Sequence, residues 1–371
     1  MDRFLTGLHI TNYRGFRSFT CVGLKPITIF GGMNNCGKST LLEALYFLSA
    51  RSLAVTPAGL AADRGLYRKD GRLSSLFYGD VDGGEIIIHG TFSDETACGL
   101  DFENTLRSAG DFGIVDESEA GIGMDAEGGG ISAHAPVYVL QYYTDKNAGS
   151  VRRGSLLITS ENGEYRVYPM TPKTEGSEYA EVSGREYDDD WRCTLYQSQR
   201  RRSFKAVYGE LFKSGKDSEI LDVLRGVDAR VRGVAFDGED LLVDVGVGRG
   251  RLPIGVMGDG LVKATQIMAL MAQSPRGGMV CIDEIENGLH YSAMAAFWRG
   301  LLKYARQNLI QLIATTHNLE MIQSLADELG DDAKEDFAYF NLARTPKDEV
   351  VATPFSLGEV KAHLDSGVEM R

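Results

Sequence analysis

The hydrophobic pattern of the chain divides it into stretches of different period. Leu8, Ile10, Tyr13 and Phe16 alternate like a strand and its turn. PITIF, residues 26–30, is short and wholly apolar, as a strand buried on both faces requires. A glycine-rich turn follows at once, and the leucines of 39–50 (STLLEALYFLSA) then fall at helical spacing. Further on, EIIIHGTF (85–92), 99–102, 137–143 and 155–159 read as strands, with Asn162-Gly163 as a hairpin tip. The Gly- and acid-rich stretch 110–130 reads as a solvated, mobile loop, and EYDDD (186–190) as another acidic loop. From about Ser203 the period becomes helical. Two short helices are expected within 203–228 around a Ser-Gly turn, then a strand pair near 231–236 and 241–245. Helices at 261–273, 291–307 and 319–329 alternate with buried strands at 279–282 and 311–315. Short apolar strands alternating with helices imply a parallel sheet covered on both faces.

Composition narrows the setting. At 371 residues the domain-size prior gives about two domains. Hydrophobic residues make up 43%, enough for a sizeable core. The formal charge of −13 argues against a protein that coats DNA or an anionic membrane, since both need a basic surface. The five cysteines, Cys21, Cys36, Cys98, Cys193 and Cys281, form no CxxC pair, so neither a zinc site nor a disulfide framework is indicated. A reducing cytoplasm suits such cysteines. The N-terminus lacks the apolar run of a signal peptide, and no stretch approaches the roughly 18 apolar residues of a membrane helix.

The turn after PITIF carries the first chemistry. Gly32-Met33-Asn34-Asn35-Cys36-Gly37-Lys38-Ser39, continued by Thr40, fits G-x-x-x-x-G-K-[ST] in full. Its glycines let the backbone approach phosphates and present N–H groups, and the following helix adds its positive end. In such a loop Lys38 reaches the β- and γ-phosphates, and the Ser39 hydroxyl ligates Mg²⁺. A chance match in a glycine-rich chain is the alternative, but a buried strand before and a helix after are the context the motif needs. MVCI (279–282) ends in Asp283 and Glu284. Asp283 is placed to hold the metal, and Glu284 to orient and deprotonate an attacking water. QLIATTH ends in His317, at the strand end where parallel sheets place ligands, within reach of a γ-phosphate. Gly258-Asp259-Gly260 stands before a helix and offers N–H groups to an anion, with Asp259 as a plain helix N-cap the bland alternative. Arg200-Arg201-Arg202 with Lys205 is the densest basic cluster, a solvated helix start or a contact for an anionic partner.

As a set and in this order, LHITNYRGF, GGMNNCGKST, GDGL, CIDEIENGLH and ATTH resemble the ABC-type ATPase head of the RecF, SMC and OLD group, and the ending LDSGVEMR resembles stand-alone OLD-like AAA ATPases. The resemblance covers roughly 1–50 and 250–371. It implies an α/β P-loop head: a parallel core sheet flanked by helices, an antiparallel β subdomain and a small helical lobe. On that frame 1–195 forms the N-terminal lobe, 196–265 the helical lobe with the signature-like segment, and 266–371 the rest of the ATPase core. ATP and Mg²⁺ are the implied ligands. Two heads pair face to face, so Gly258, Asp259 and Gly260 act on the partner's ATP, and Asn287 falls in a segment that crosses the interface. His290 lies in that same segment, with packing as its plain role. Arg14 sits where such heads place a basic residue near the nucleotide. The usual signature serine is absent, since Met257 precedes Gly258. The Q-loop glutamine that the resemblance implies is Gln197 or Gln199, where the sheet lobe hands over to the helical lobe, with Gln141, in VYVLQYY, as competitor or simply a strand residue.

About 54 residues follow His317, too few for the nuclease domain that OLD-type proteins carry, and no coiled coil is present. The resemblance therefore implies the cytoplasmic ATPase of a two-gene antiphage system, signalling to a separately encoded nuclease or toxin. A RecF-like ATPase acting directly on DNA is the alternative.

Overall fold

In a computed structural model of the chain, residues 3–48, 73–80, 84–108, 136–146, 149–161, 164–169, 192–197, 204–246, 248, 250–330, 333–367 and 370 are described. The chain opens with strands β1 (Leu5–Tyr13) and β2 (Phe16–Val22), an antiparallel pair. Strand β3 (Ile27–Gly32) runs through the phosphate loop into helix α1 (Lys38–Leu48). Strands β4 (Glu85–Phe92), β5 (Ala97–Ser108), β6 (Pro136–Lys146), β7 (Gly149–Glu161) and β8 (Glu164–Pro169) follow. With the first pair they form a seven-stranded antiparallel sheet in the order β2-β1-β4-β5-β6-β7-β8. The expected hairpin of β7 and β8 is present, paired up to Glu161 and Glu164. Its tip, Asn162-Gly163, lies outside the described residues, as do the loops at 110–130 and 186–190.

Strand β9 (Cys193–Tyr196) returns the chain to a second sheet, and helices α2 (Lys205–Lys213) and α3 (Asp217–Val227) come next. Strands β10 (Gly233–Phe236), β11 (Leu241–Asp244) and β12 (Arg251–Pro253) make a small antiparallel sheet before helix α4 (Asp259–Gln273). Then β13 (Met279–Ile282), α5 (Tyr291–Asn308), β14 (Gln311–Thr315) and α6 (Leu319–Leu329) alternate. The pattern read from sequence ends there. The structure adds β15 (Phe337–Arg344), β16 (Val350–Phe355) and α7 (Leu357–Ser366). The second sheet has the order β16-β15-β3-β14-β13-β9, parallel except for its edge strand β16.

The parallel strands are apolar throughout because both faces are covered. Val280, Ile282, Leu312, Ala314, Ile27 and Ile29 face one apolar cluster, shared with helices α2 to α6. Met279, Cys281, Ile313 and Phe30 face another, shared with α1 and the antiparallel sheet. By contrast β4 alternates buried and wet positions, as a half-covered antiparallel strand does. Caps fix where the helices begin. His290 accepts from the Ser292 amide at the start of α5, Asn318 from Met321 at α6, and Ser356 with Glu359 form a capping box at α7. At α4 the N-cap is Gly258 rather than Asp259, and no side chain caps that end. No helix among the described residues is long and apolar enough to cross a membrane.

The two sheets are tied by Gln311, which is buried at the start of β14. Its Oε1 accepts from the Leu5 amide at 2.9 Å, and its Nε2 donates to the carbonyls of Leu5 at 2.8 Å and Lys25 at 3.1 Å. Replacing it leaves main-chain groups of β1 buried without partners. Gln311→Ala is expected to lower unfolding stability by about 2–3 kcal/mol, read as an earlier urea midpoint with an unchanged slope. An unmoved midpoint would contradict this role.

Candidate functional site

Strands β3, β14 and β13 lie side by side in parallel register, with Phe30 opposite Thr315 and Ala314 opposite Ile282. The loops that leave their C-terminal ends therefore emerge next to one another, at the edge where such sheets take ligands. These loops carry Lys38, His317 and the Asp283–Glu284 pair. Main-chain bonds stitch them together: Thr316 N to Phe30 O at 3.0 Å, Ile285 N to Thr315 O at 3.0 Å, and Asp283 N to Tyr196 O at 2.9 Å.

The phosphate loop takes a left-handed backbone at Gly32 (φ 127°), Asn35 (φ 64°) and Gly37 (φ 98°). At Gly37 a Cβ would sit 2.9 Å from the Phe16 ring, so both its conformation and its surroundings call for glycine. Met33, Asn34 and Asn35 are exposed at the tip, while Cys36 is buried. The Asn35 carbonyl accepts from Arg344 Nε at 3.3 Å. Lys38 is buried, and its ammonium donates to the carbonyls of Gly32 and Met33, both at 2.8 Å. Ser39 and Thr40 are half-buried in the first turn of α1, where backbone N–H groups have no partner within the helix.

The buried Asp283 carboxylate accepts from the Thr315 hydroxyl at 2.6 Å. That same hydroxyl accepts from the Glu284 amide at 2.8 Å. Glu284 adopts a left-handed backbone (φ 47°), rare for a residue with a Cβ. Its carboxylate accepts from the Asn287 side chain, and its carbonyl from the Lys263 ammonium. Burial lowers the Lys263 pKa to about 8 against the opposing pull of Glu286, Glu284 and Asp283. Glu286 is buried, and its Oε1 accepts from the His317 amide at 2.9 Å and lies 2.7 Å from His317 Nδ1. The His317 ring is half exposed.

Gln197 directly follows β9 and is buried. Its Nε2 donates to Glu43 Oε1 at 3.3 Å, and its own Oε1 is buried without a hydrogen-bond partner. The other oxygen of Glu43 receives Arg14 Nη1 at 2.6 Å and the Tyr13 hydroxyl at 3.1 Å. Arg14 is thus engaged by a buried carboxylate of α1. Gln141 lies within β6 of the antiparallel sheet, paired with Asp101 and Ser155. Gln199 and the Arg200–Arg202 cluster lie outside the described residues, and Lys205 begins α2 in an ion pair with Glu239. Gly258 and Asp259 are exposed at the start of α4. Gly260 approaches Gly288 so closely that a Cβ would lie 2.5 Å from its carbonyl oxygen.

The donor set fits a magnesium nucleotide. Among the described residues, no three His, Cys, Asp or Glu side chains converge as a metal cage. Magnesium held by one or two protein groups and phosphate oxygens needs no such cage. The unpartnered Gln197 Oε1 is a further oxygen available to a cation or its water. Sequence reasoning passed over Thr315, Glu286, Glu43 and Lys263. Thr315 and Glu286 lie inside ATTH and CIDEIENGLH, so the segments were found but the bonds between them were not. Glu43 and Lys263 carried no local signal beyond a charge within a helical apolar pattern.

Comparison with known proteins agrees with this architecture. Residues 27–322 match the family described as "AAA domain, putative AbiEii toxin, Type IV TA system". A Helicobacter pylori protein named "ATP/GTP phosphatase" is 24% identical over 354 residues, spanning 90% of each chain. Among solved structures, the Smc head domain with an extended coiled coil, bound to the C-terminal domain of ScpA derived from Pyrococcus furiosus, superposes with a TM-score of 0.50. It is 11% identical and covers 98% of this chain and 99% of its own. The chain belongs to this AAA-domain family of ATPases and has the fold of an SMC head.

Proposed function

We propose that two copies of the chain close head to head around ATP, that hydrolysis reopens them, and that a separately encoded effector reads the state. Lys38 and the loop amides from Asn34 to Thr40 bind the β- and γ-phosphates. Ser39 and Asp283 would hold magnesium, with the free oxygen of Gln197 available to it or its water; the ion, when bound, would neutralise charge on the phosphates. Glu284 orients the attacking water and takes its proton, with Asn287 steadying the carboxylate. His317, set by Glu286, contacts the γ-phosphate and stabilises the charge that builds during transfer. Gly258, Asp259 and Gly260 cap the partner's nucleotide.

The observation that carries the dimer is where apolar surface is left in water. Six large hydrophobic residues are exposed among the described residues. Met33 lies in the phosphate loop, Val256 before the signature-like segment, Tyr291 after Asn287, and Leu319 after His317. Four of the six therefore flank segments that a face-to-face pair would bring together. A protein effector is supported by two parallels. The SMC head of similar fold has a ScpA domain bound, and the family description names a toxin–antitoxin system. With the acidic balance of the chain, these favour a protein over DNA as the output. OLD-like antiphage defence in a bacterial cytoplasm is the setting that suits such a pair.

Glu284→Gln is expected to cut ATP turnover by at least about a hundredfold. It should also trap an ATP-bound dimer, visible by light scattering; wild-type turnover in this variant removes Glu284 from the mechanism. Adding Tyr291→Asp to that variant should return it to monomer, with each monomer still binding ATP but more weakly than the closed pair, whose second copy adds contacts to the nucleotide. A dimer that persists would place the interface elsewhere. Thr315→Val keeps the volume but strips the hydroxyl from Asp283 and Glu284. A stability loss of about 1–3 kcal/mol and slower turnover at saturating ATP are expected, measured by urea unfolding and phosphate release. Co-purification from the native locus tests the effector, and a chain that emerges with no second protein would sink that part.

A further inference from the structure

Lys263 lies on α4, five positions beyond Gly258, and is 5% exposed. Such burial of an ammonium is costly unless it is paired. Here it donates to the main-chain carbonyl of Glu284, stands near the charges of Glu286, Glu284 and Asp283, and lies 5.9 Å from the Tyr196 ring centroid. Its hydrogen bond goes to a backbone oxygen, which fixes a conformation in addition to neutralising charge.

That conformation is the unusual one. Glu284 is left-handed and is pinned at three points: its amide by Thr315, its carboxylate by Asn287, and its carbonyl by Lys263. The first two anchors come from β14 and from the same turn. Only Lys263 comes from α4. A second contact joins the same two pieces, the close approach of Gly260 to the Gly288 carbonyl. The turn that carries Glu284 is therefore hydrogen-bonded to α4 at one end and packed closely against its start at the other.

We propose that Lys263 is a positioning residue for hydrolysis: its ammonium anchors the Glu284 carbonyl and so fixes where the Glu284 carboxylate meets the attacking water. The proposal rests on the reading of Glu284 as the base. A lysine that served only to balance charge in the core would affect folding and nucleotide binding together. A lysine that aims the base affects the chemical step and leaves binding alone.

The test uses the full chain and compares kcat, the Kd for magnesium-ATP and thermal unfolding in wild type, Lys263→Met, Lys263→Arg and Glu284→Gln. Lys263→Met is expected to lower kcat at least about tenfold with Kd within about threefold, and Lys263→Arg to hold kcat within about threefold of wild type. Three results would each overturn the proposal: full kcat in Lys263→Met, a loss of binding that accounts for its loss of rate, or a Lys263→Arg as slow as Lys263→Met. If Lys263→Met does not fold, Lys263→Gln replaces it. That side chain is uncharged and ends short of the carbonyl, so the same fall is expected and wild-type kcat is again fatal. Wild-type turnover in Glu284→Gln would overturn the base assignment and this proposal with it. An inactive Glu284→Gln beside a fully active Lys263→Met would overturn Lys263 alone.

Discussion

The Thr315 hydroxyl, at the end of β14, donates to the Asp283 carboxylate at 2.6 Å and accepts from the Glu284 amide at 2.8 Å. Both bonds reach across to the end of β13, so one β-branched side chain with restricted χ1 sets the relation between two adjacent carboxylates. The bond to Asp283 is short because its acceptor is charged. The bond to Glu284 helps hold a backbone turn that a residue with a Cβ rarely adopts. From that turn follow the direction of the Glu284 side chain, the reach of Asn287 and the seat of Lys263. The parallel register of β13 and β14 is what brings Thr315 to this point.

A second constraint ties the antiparallel sheet to the same site. Glu43 is wholly buried on α1, and such a carboxylate is tolerated only when paired. It receives Arg14 from the turn between β1 and β2, Tyr13 from the end of β1, and Gln197 from the end of β9. The charge of Arg14 is thus used to support Gln197 from behind. Displacing the β1–β2 turn would loosen the amide whose free oxygen is turned elsewhere.

The elements legible in the sequence were those with a strong local period. Strands 279–282 and 311–315 and helix 319–329 agree with the structure to the residue. Apolar runs buried on both faces and helices with one apolar stripe announce themselves within a few residues. The site was legible as segments for the same reason, since a phosphate loop is written in eight consecutive positions. Its internal wiring was not. Thr315 and Glu284 are 31 positions apart, Gln197 and Glu43 are 154 apart, and neither member of such a pair signals the other. The place of β15 was hidden in the same way. FAYFNLAR is apolar enough for a buried strand, but only the folded chain shows Tyr339 packed where Gly31 has no side chain.

Strand β3 has its consequence in time. It is complete early in synthesis, yet its neighbours in the sheet are β14 and β15. About 240 residues separate Lys38 from the strand that bears Asp283, and at roughly 5–20 residues per second that is a delay of some tens of seconds. Through that delay β4 to β8 emerge and join β1 and β2, already made, in the antiparallel sheet, and α1 has a surface to rest against. The phosphate loop has neither its carboxylates nor its sheet. A chain interrupted before Thr315 lacks β14 beside β3 and the hydroxyl that Asp283 and Glu284 share in the folded molecule. The parallel neighbours of β3, β14 and β15, are thus made only in the last quarter of the chain.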